Sequence, residues 1–228
     1  TTLFRSDRHR NLYPALCLGI LTAAFIVAKT GRDALFFQGK GIFQLPVATM
    51  MITALSLPLA MLFVKAMKTW GARPARVGLM LFAATVLTLA SPFLQPGESP
   101  LLLNIFIFIP GVFGIMFASL WLLASDLFEN LPKPQSARAF GKIGASSLAG
   151  GMTGGFIAKW IGPLIEPKWL IFIGALMTLV VIALVVQAQR KFPSQIKPKN
   201  DAENQSGYLA PLGKPYALVL LFTAMAGA

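Results

Sequence analysis

Apolar residues follow one another along this chain in runs much longer than a soluble helix needs. The first is LYPALCLGILTAAFIVAKTGRDALFF, Leu12 to Phe37. It is apolar from Leu12 to Ala28 apart from Thr22, enough at ~1.5 Å per residue to climb ~26 Å of a ~30 Å hydrocarbon core. Five more runs follow, at about 43–66, 77–94, 101–127, 139–165 and 169–188. The pattern predicts an all-α, polytopic transmembrane helix bundle. Six spans occupy residues 1–189, a polar linker residues 190–207, and the start of a seventh span residues 208–228. Pro46 stands near the start of the second run; Pro58 inside it predicts a kink, and Pro110-Gly111 in the fourth predicts a break.

The first run carries its own interruption. Lys29, Arg32 and Asp33 stand inside it, and Ala34-Leu35-Phe36-Phe37 then resume the apolar pattern. On a helix these three positions are i, i+3 and i+4 and share a face. A charge at that depth costs at least ~2.5 kcal/mol and normally faces a protein interior or a water-filled path. Two readings follow: a solute site or ion-pair gate, or a charged cluster at the outer interface with its stems snorkelling.

Composition agrees with a membrane setting: 228 residues, 56% hydrophobic and only 12% charged. The net charge of +12 invites a nucleic-acid partner, but the basic residues fall in short segments between spans, so none is expected. Fifteen of the 20 Lys and Arg lie on the N-terminal side of the spans. They include Arg5, Arg8 and Arg10, Lys65 to Arg76, Lys133 to Lys142, and Arg190 to Lys199. Lys29, Arg32, Lys40, Lys159 and Lys168 fall on the other side. The bias predicts a cytoplasmic N-terminus and a cytoplasmic linker. One cysteine, Cys17, excludes an internal disulfide, and the single histidine, His9, sits in a basic flank. With no Cys/His pair, no His cluster and no paired carboxylates in one span, neither an enzyme nor a metal or other cofactor is expected.

Two further stretches hold candidates. The fifth span is rich in small residues: Gly144, Ser147, Gly150, Gly151, Gly154 and Gly155, several of them four apart, a spacing that lets helices approach closely in lipid. Its Gly141-Lys142 pair is not a phosphate loop, because Ser136 and Ile143 stand where that pattern needs Gly and Ser/Thr. At the junction of spans four and five, Asp126 ends one helix and Arg138, with Lys142 one turn on, begins the next. Antiparallel packing would pair Asp126 with Arg138 as a gate or an interfacial ion pair. Asn104 in span four can add hydrogen bonds to a solute or pack against a helix.

At Lys29-Thr30-Gly31-Arg32-Asp33-Ala34-Leu35 the chain resembles the ATP/ADP carrier-type nucleotide transporters of plastids and intracellular bacteria. Their first span has the pattern R-D-T-K-D-A-L, and Arg32-Asp33-Ala34-Leu35 takes the place of K-D-A-L. A second match covers Ala124-Ser125-Asp126, Ala137-Arg138 and Phe140-Gly141-Lys142-Ile143-Gly144-Ala145, against that family's A-N-Q, A-K-R and F-G-x-x-G-A. The loop around Gly71, Arg73 and Arg76 is similar to the basic loop of the major facilitator superfamily, without its acidic residue. The acidic residue that nucleotide carriers hold in mid-span four is replaced here by Ile109-Pro110-Gly111, so the chain looks closer to bacterial relatives of unknown substrate.

The resemblance implies a major facilitator-like fold of twelve spans, this chain being the first half. The expected function is secondary active transport of a small anionic solute, nucleotide-like or otherwise phosphorylated, by alternating access. Lys29, Arg32, Asp33 and Asn104 are its candidate solute residues. The alternatives are a non-transporting scaffold or assembly protein, or a major facilitator transporter of lipids or unrelated solutes. Expected partners are membrane lipid, the solute and a C-terminal half that this chain lacks. The chain starts without Met and stops within an apolar run, which reads as a fragment. The expected location is a bacterial inner membrane.

Overall fold

The computed structural model describes residues 2–38, 41–96, 100–128 and 131–192, with side chains from residue 12 onward and, after the first gap, from residue 44. Most of the linker and the start of a seventh span lie outside the described residues.

Six α-helices run up and down through the described chain: α1 Thr2–Phe37, α2 Gly41–Trp70, α3 Ala72–Ala90, α4 Pro100–Phe128, α5 Lys133–Ile161 and α6 Pro167–Lys191. A 3-10 turn, Ser91–Phe93, follows α3. Five of the six are long and apolar enough to cross a membrane. The sixth, α5, has 29 residues but falls short in hydropathy, because glycines occupy positions that elsewhere hold Leu, Ile or Val. The break expected at Pro110-Gly111 does not end α4, which runs through it; α2 likewise runs through Pro46 and Pro58, and α1 through Pro14. The basic stretch 65–76 is not a loop either. Only Gly71, at φ 91°, separates α2 from α3, a left-handed backbone that glycine adopts without strain.

The centre of the bundle is α1. It packs along α5 and α6 and more lightly on α4; α3 packs on α6, and α2 on α4 and α3. Cys17, Leu18, Leu21, Ala24, Val27 and Ala28 of α1 are fully buried. Small residues bring its backbone close to both neighbours. A Cβ on Gly150 of α5 would overlap the carbonyl of Gly19, and one on Gly154 would fall 2.7 Å from the carbonyl oxygen of Ala23. A Cβ on Gly174 of α6 would meet Ala28 at 2.8 Å. Hydroxyls join the same seam: Ser146 donates to the carbonyl of Ala15 at 2.7 Å, and Ser147 and Thr22 share a hydrogen bond of 2.8 Å. In lipid, such close backbones and hydroxyl bonds hold helices together where the hydrophobic effect cannot.

The helix-packing stripe expected on α5 is therefore correct in part. Gly150, Gly154 and Ser147 touch α1, and Gly151 lies 3.6 Å from Thr22, measured from an added Cβ. Gly144 and Gly155 have nothing within 4 Å of a Cβ and take no part. The seam follows 143, 146, 150, 154 and 158, and positions 144 and 155 are rotated away from it.

Candidate functional site

Near the end of α1 opposite the N-terminus, the three charged residues separate. Arg32 is 6% exposed and turns inward toward α4, whereas Lys29 is exposed and Asp33 half-buried. Gly31 sets this rotation: the start of α6 presses on it, with Leu170 Cβ 2.8 Å from where a Cβ would stand. One residue on, ~100° around the helix, Arg32 meets α4.

The guanidinium is held on three sides. Nε and Nη2 donate to Asp33 Oδ1 at 2.8 and 2.6 Å, and Nη1 donates to the backbone carbonyl of Phe106 at 3.0 Å. The ring of Phe106 lies beneath it, 4.0 Å from the guanidinium carbon, and Phe36 stacks on that ring at 4.0 Å. Charge, carbonyl and π-face together replace the water that this cation lacks. Without such partners a buried arginine would cost ~2.5–3.5 kcal/mol or more in a membrane.

Lys29 lies on a different part of α1. Thr22 reaches α5 through Ser147, and Ile26 meets Gly154 of α5; Phe25 packs on Phe113 and Phe117 of α4 at 5.4 and 5.9 Å. Lys29 follows Ile26 by three residues and Phe25 by four, so it continues the stripe of α1 that faces the opening between α4 and α5. Asp33 comes one turn later. Where α4 and α5 are joined they meet through Phe140, stacked on Trp121 at 5.9 Å and edge-on to Phe128 at 5.3 Å. Beyond that they share few contacts, and α1 lies between them. Along α1, at ~1.5 Å per residue, Lys29 lies ~7 Å and Arg32 ~11 Å from the midpoint of Leu12–Phe37; a hydrocarbon core centred on that midpoint would reach ~15 Å either way.

Compared with protein-family models, with characterised proteins and with solved structures, the chain matches none.

The remaining candidates are distributed otherwise than expected. Asn104 is exposed on α4 and is none of the groups that Arg32 bonds. Asp126 does not pair with Arg138. Its carboxylate accepts from Nη2 of Arg76, in the first turns of α3, at 2.8 Å, while Arg138 and Lys142 are both exposed on α5. The reason is the splay of α4 from α5: α4 packs on α2 and α3 instead, so its final turn presents Asp126 to α3. Arg76 is 3% exposed, more buried than any other described cation. The helix α4 is thus tied near both ends by a buried arginine, from α1 at Phe106 and from α3 at Asp126. Neither Phe106, whose backbone and ring do the binding, nor Arg76 as the partner of Asp126 has a signal in the one-dimensional pattern beyond an arginine near a span.

Proposed function

We propose that the protein is the N-terminal six-helix half of a secondary transporter moving a small anionic solute by alternating access. One observation carries the reading: Lys29 is exposed ~7 Å from the middle of its span, on the side of α1 between α4 and α5 and one turn from the Arg32–Asp33 pair. A lysine at that depth is stable where it meets water or a polar partner, not acyl chains. In this reading Lys29 attracts the anion to this side of α1. Asp33 holds Arg32 between turnovers, and the anion competes for the guanidinium. Binding between half-bundles is the usual arrangement in such carriers.

The helix packing fits a major facilitator-like architecture in part. Exchanging α1 with α4, α2 with α5 and α3 with α6 turns α1-on-α5 into α4-on-α2 and leaves the α1–α4 and α3–α6 pairs unchanged, but α1 packs far more heavily on α6 than α4 does on α3, and α2-on-α3 has no α5-on-α6 counterpart. Such 3+3 repeats are nested in the halves of those transporters. The resemblance of residues 29–35 and 124–145 to nucleotide carriers favours a phosphorylated solute. The charge bias favours an inner membrane with the N-terminus cytoplasmic.

Counterflow of phosphorylated solutes in proteoliposomes of the full-length protein tests this. Native protein should exchange an anion that Lys29→Gln and Arg32→Ala variants do not. Equal activity in the Arg32→Ala variant would remove Arg32 from the mechanism. One observation favours the second reading, a non-transporting scaffold: the contacts of Arg32 with Phe106 also serve to fasten α1 to α4. Absence of counterflow for all anions would favour it.

A further inference from the structure

In an unbroken α-helix the carbonyl of Phe106 accepts from the N–H of residue 110. Residue 110 is proline, which has no N–H and whose ring presses toward that same carbonyl. Lipid offers no donor to replace it, so a freed carbonyl inside a membrane must find one in a neighbouring helix, a side chain or an ordered water. The donor that reaches Phe106 comes from another helix: Nη1 of Arg32, at 3.0 Å. The next residue, Gly111, has only Leu59 near it, 3.8 Å from an added Cβ. A lost hydrogen bond, a glycine and an external clamp therefore coincide at one level of α4.

We propose that Pro110 is a positioning residue for Arg32 and that the pair forms a latch, in which the proline-freed carbonyl of Phe106 fixes the guanidinium, and the guanidinium pins residues 100–109 of α4 against α1. The two halves depend on each other. Without Pro110, the carbonyl is occupied within its own helix and Arg32 loses a partner. Without Arg32, the carbonyl loses that donor and α4 is freer to bend at Pro110-Gly111, held there by apolar packing of Ile109, Val112 and Phe113 alone. The latch does not need the transport reading, but what opens it rests on that reading. An anion drawing on the same N–H groups would compete with both Asp33 and the Phe106 carbonyl, so solute binding and movement of the outer part of α4 become one event.

A double-mutant cycle in the full-length purified protein tests the latch without any solute. Arg32→Gln should lower the melting temperature about twice as much or more in the native background as in Pro110→Ala, because the backbone N–H that the substitution restores then serves Phe106. Spin labels at Leu103→Cys and Leu176→Cys, with buried Cys17 replaced by Ala, report the outer part of α4 against α6. Arg32→Gln should broaden that distance distribution with Pro110 present and leave it narrow with Pro110→Ala. Should Arg32→Gln fail to fold, Arg32→Lys replaces it, since an ammonium cannot hold Asp33 and Phe106 in the same fork geometry. Additive melting losses, or equal broadening in both backgrounds, would overturn the latch. Inorganic pyrophosphate added to the native chain should broaden the distribution too. Failure of that arm alone would overturn release by anions and leave the latch supported by the cycle.

Discussion

Gly150 of α5 rests on the backbone of Gly19 in α1 so closely that a methyl group at 150 would overlap the Gly19 carbonyl. The contact is backbone on backbone, so no side chain can move aside to relieve it. Gly150→Ala should destabilise the bundle by ~1–3 kcal/mol, the usual range for overpacking. Gly144→Ala and Gly155→Ala, with open space around the new methyl, should be neutral or gain up to ~1 kcal/mol from helix propensity. Thermal unfolding in detergent distinguishes the two sets. A Gly150→Ala variant as stable as Gly144→Ala would contradict the close seam.

Arg76 and Asp126 make the second test. Asp126→Asn leaves a cation only 3% exposed without its counter-charge, which should cost ~3 kcal/mol or more. Replacing both, Arg76→Met with Asp126→Leu, should recover most of that loss. Arg138→Ala should stay within ~0.5 kcal/mol, since Arg138 lies on the open side of α5 and apart from Asp126. Chemical denaturation of the three variants checks the order, and a large effect at Arg138 would restore it as the partner of Asp126.

If water reaches the side of α1 between α4 and α5, a cysteine at position 29 is reachable. Lys29→Cys in the full-length protein should react with a small, charged, membrane-impermeant thiol reagent, while Leu179→Cys, on an exposed apolar part of α6, should not. Cys17 is fully buried and gives little background. Equal protection at 29 and 179 would place Lys29 against lipid.

Sidedness has its own measurement. Gln135, at the start of α5, and Glu166, before α6, are exposed at opposite ends of the bundle. The charge bias predicts that Glu166→Cys labels from outside intact cells and Gln135→Cys only after permeabilisation. The reverse pattern would invert the topology.

Much of the architecture was legible in one dimension. A membrane demands about 20 apolar residues per span and leaves backbone groups to be satisfied within the protein, so hydropathy places five of the six described helices directly. The six expected runs correspond one to one with α1 to α6, except that α1 extends back to Thr2, α3 and α5 begin at Ala72 and Lys133 rather than at 77 and 139, and the 65–76 stretch closes to one glycine. The Lys29, Arg32 and Asp33 cluster stood out for the same reason, since charge within an apolar run is costly. Gly150 and Gly154 could be named as packing residues but not separated from Gly144 and Gly155: their spacing is alike, and only the rotation of α5 on α1 decides which side of the helix is covered.

Hydropathy and charge therefore locate the helices and single out the residues that are out of place in them. The partners of those residues follow from tertiary packing, because a partner depends on the rotation and neighbours of whole helices. Asp126 lies 12 positions from Arg138 but bonds Arg76, 50 positions away, since α4 leans on α3 rather than on α5. Pro110 and Arg32 are each conspicuous in the chain, yet nothing links them until α1 and α4 lie side by side. Only then does the carbonyl that the proline leaves without a donor come within 3.0 Å of an arginine that lipid cannot solvate.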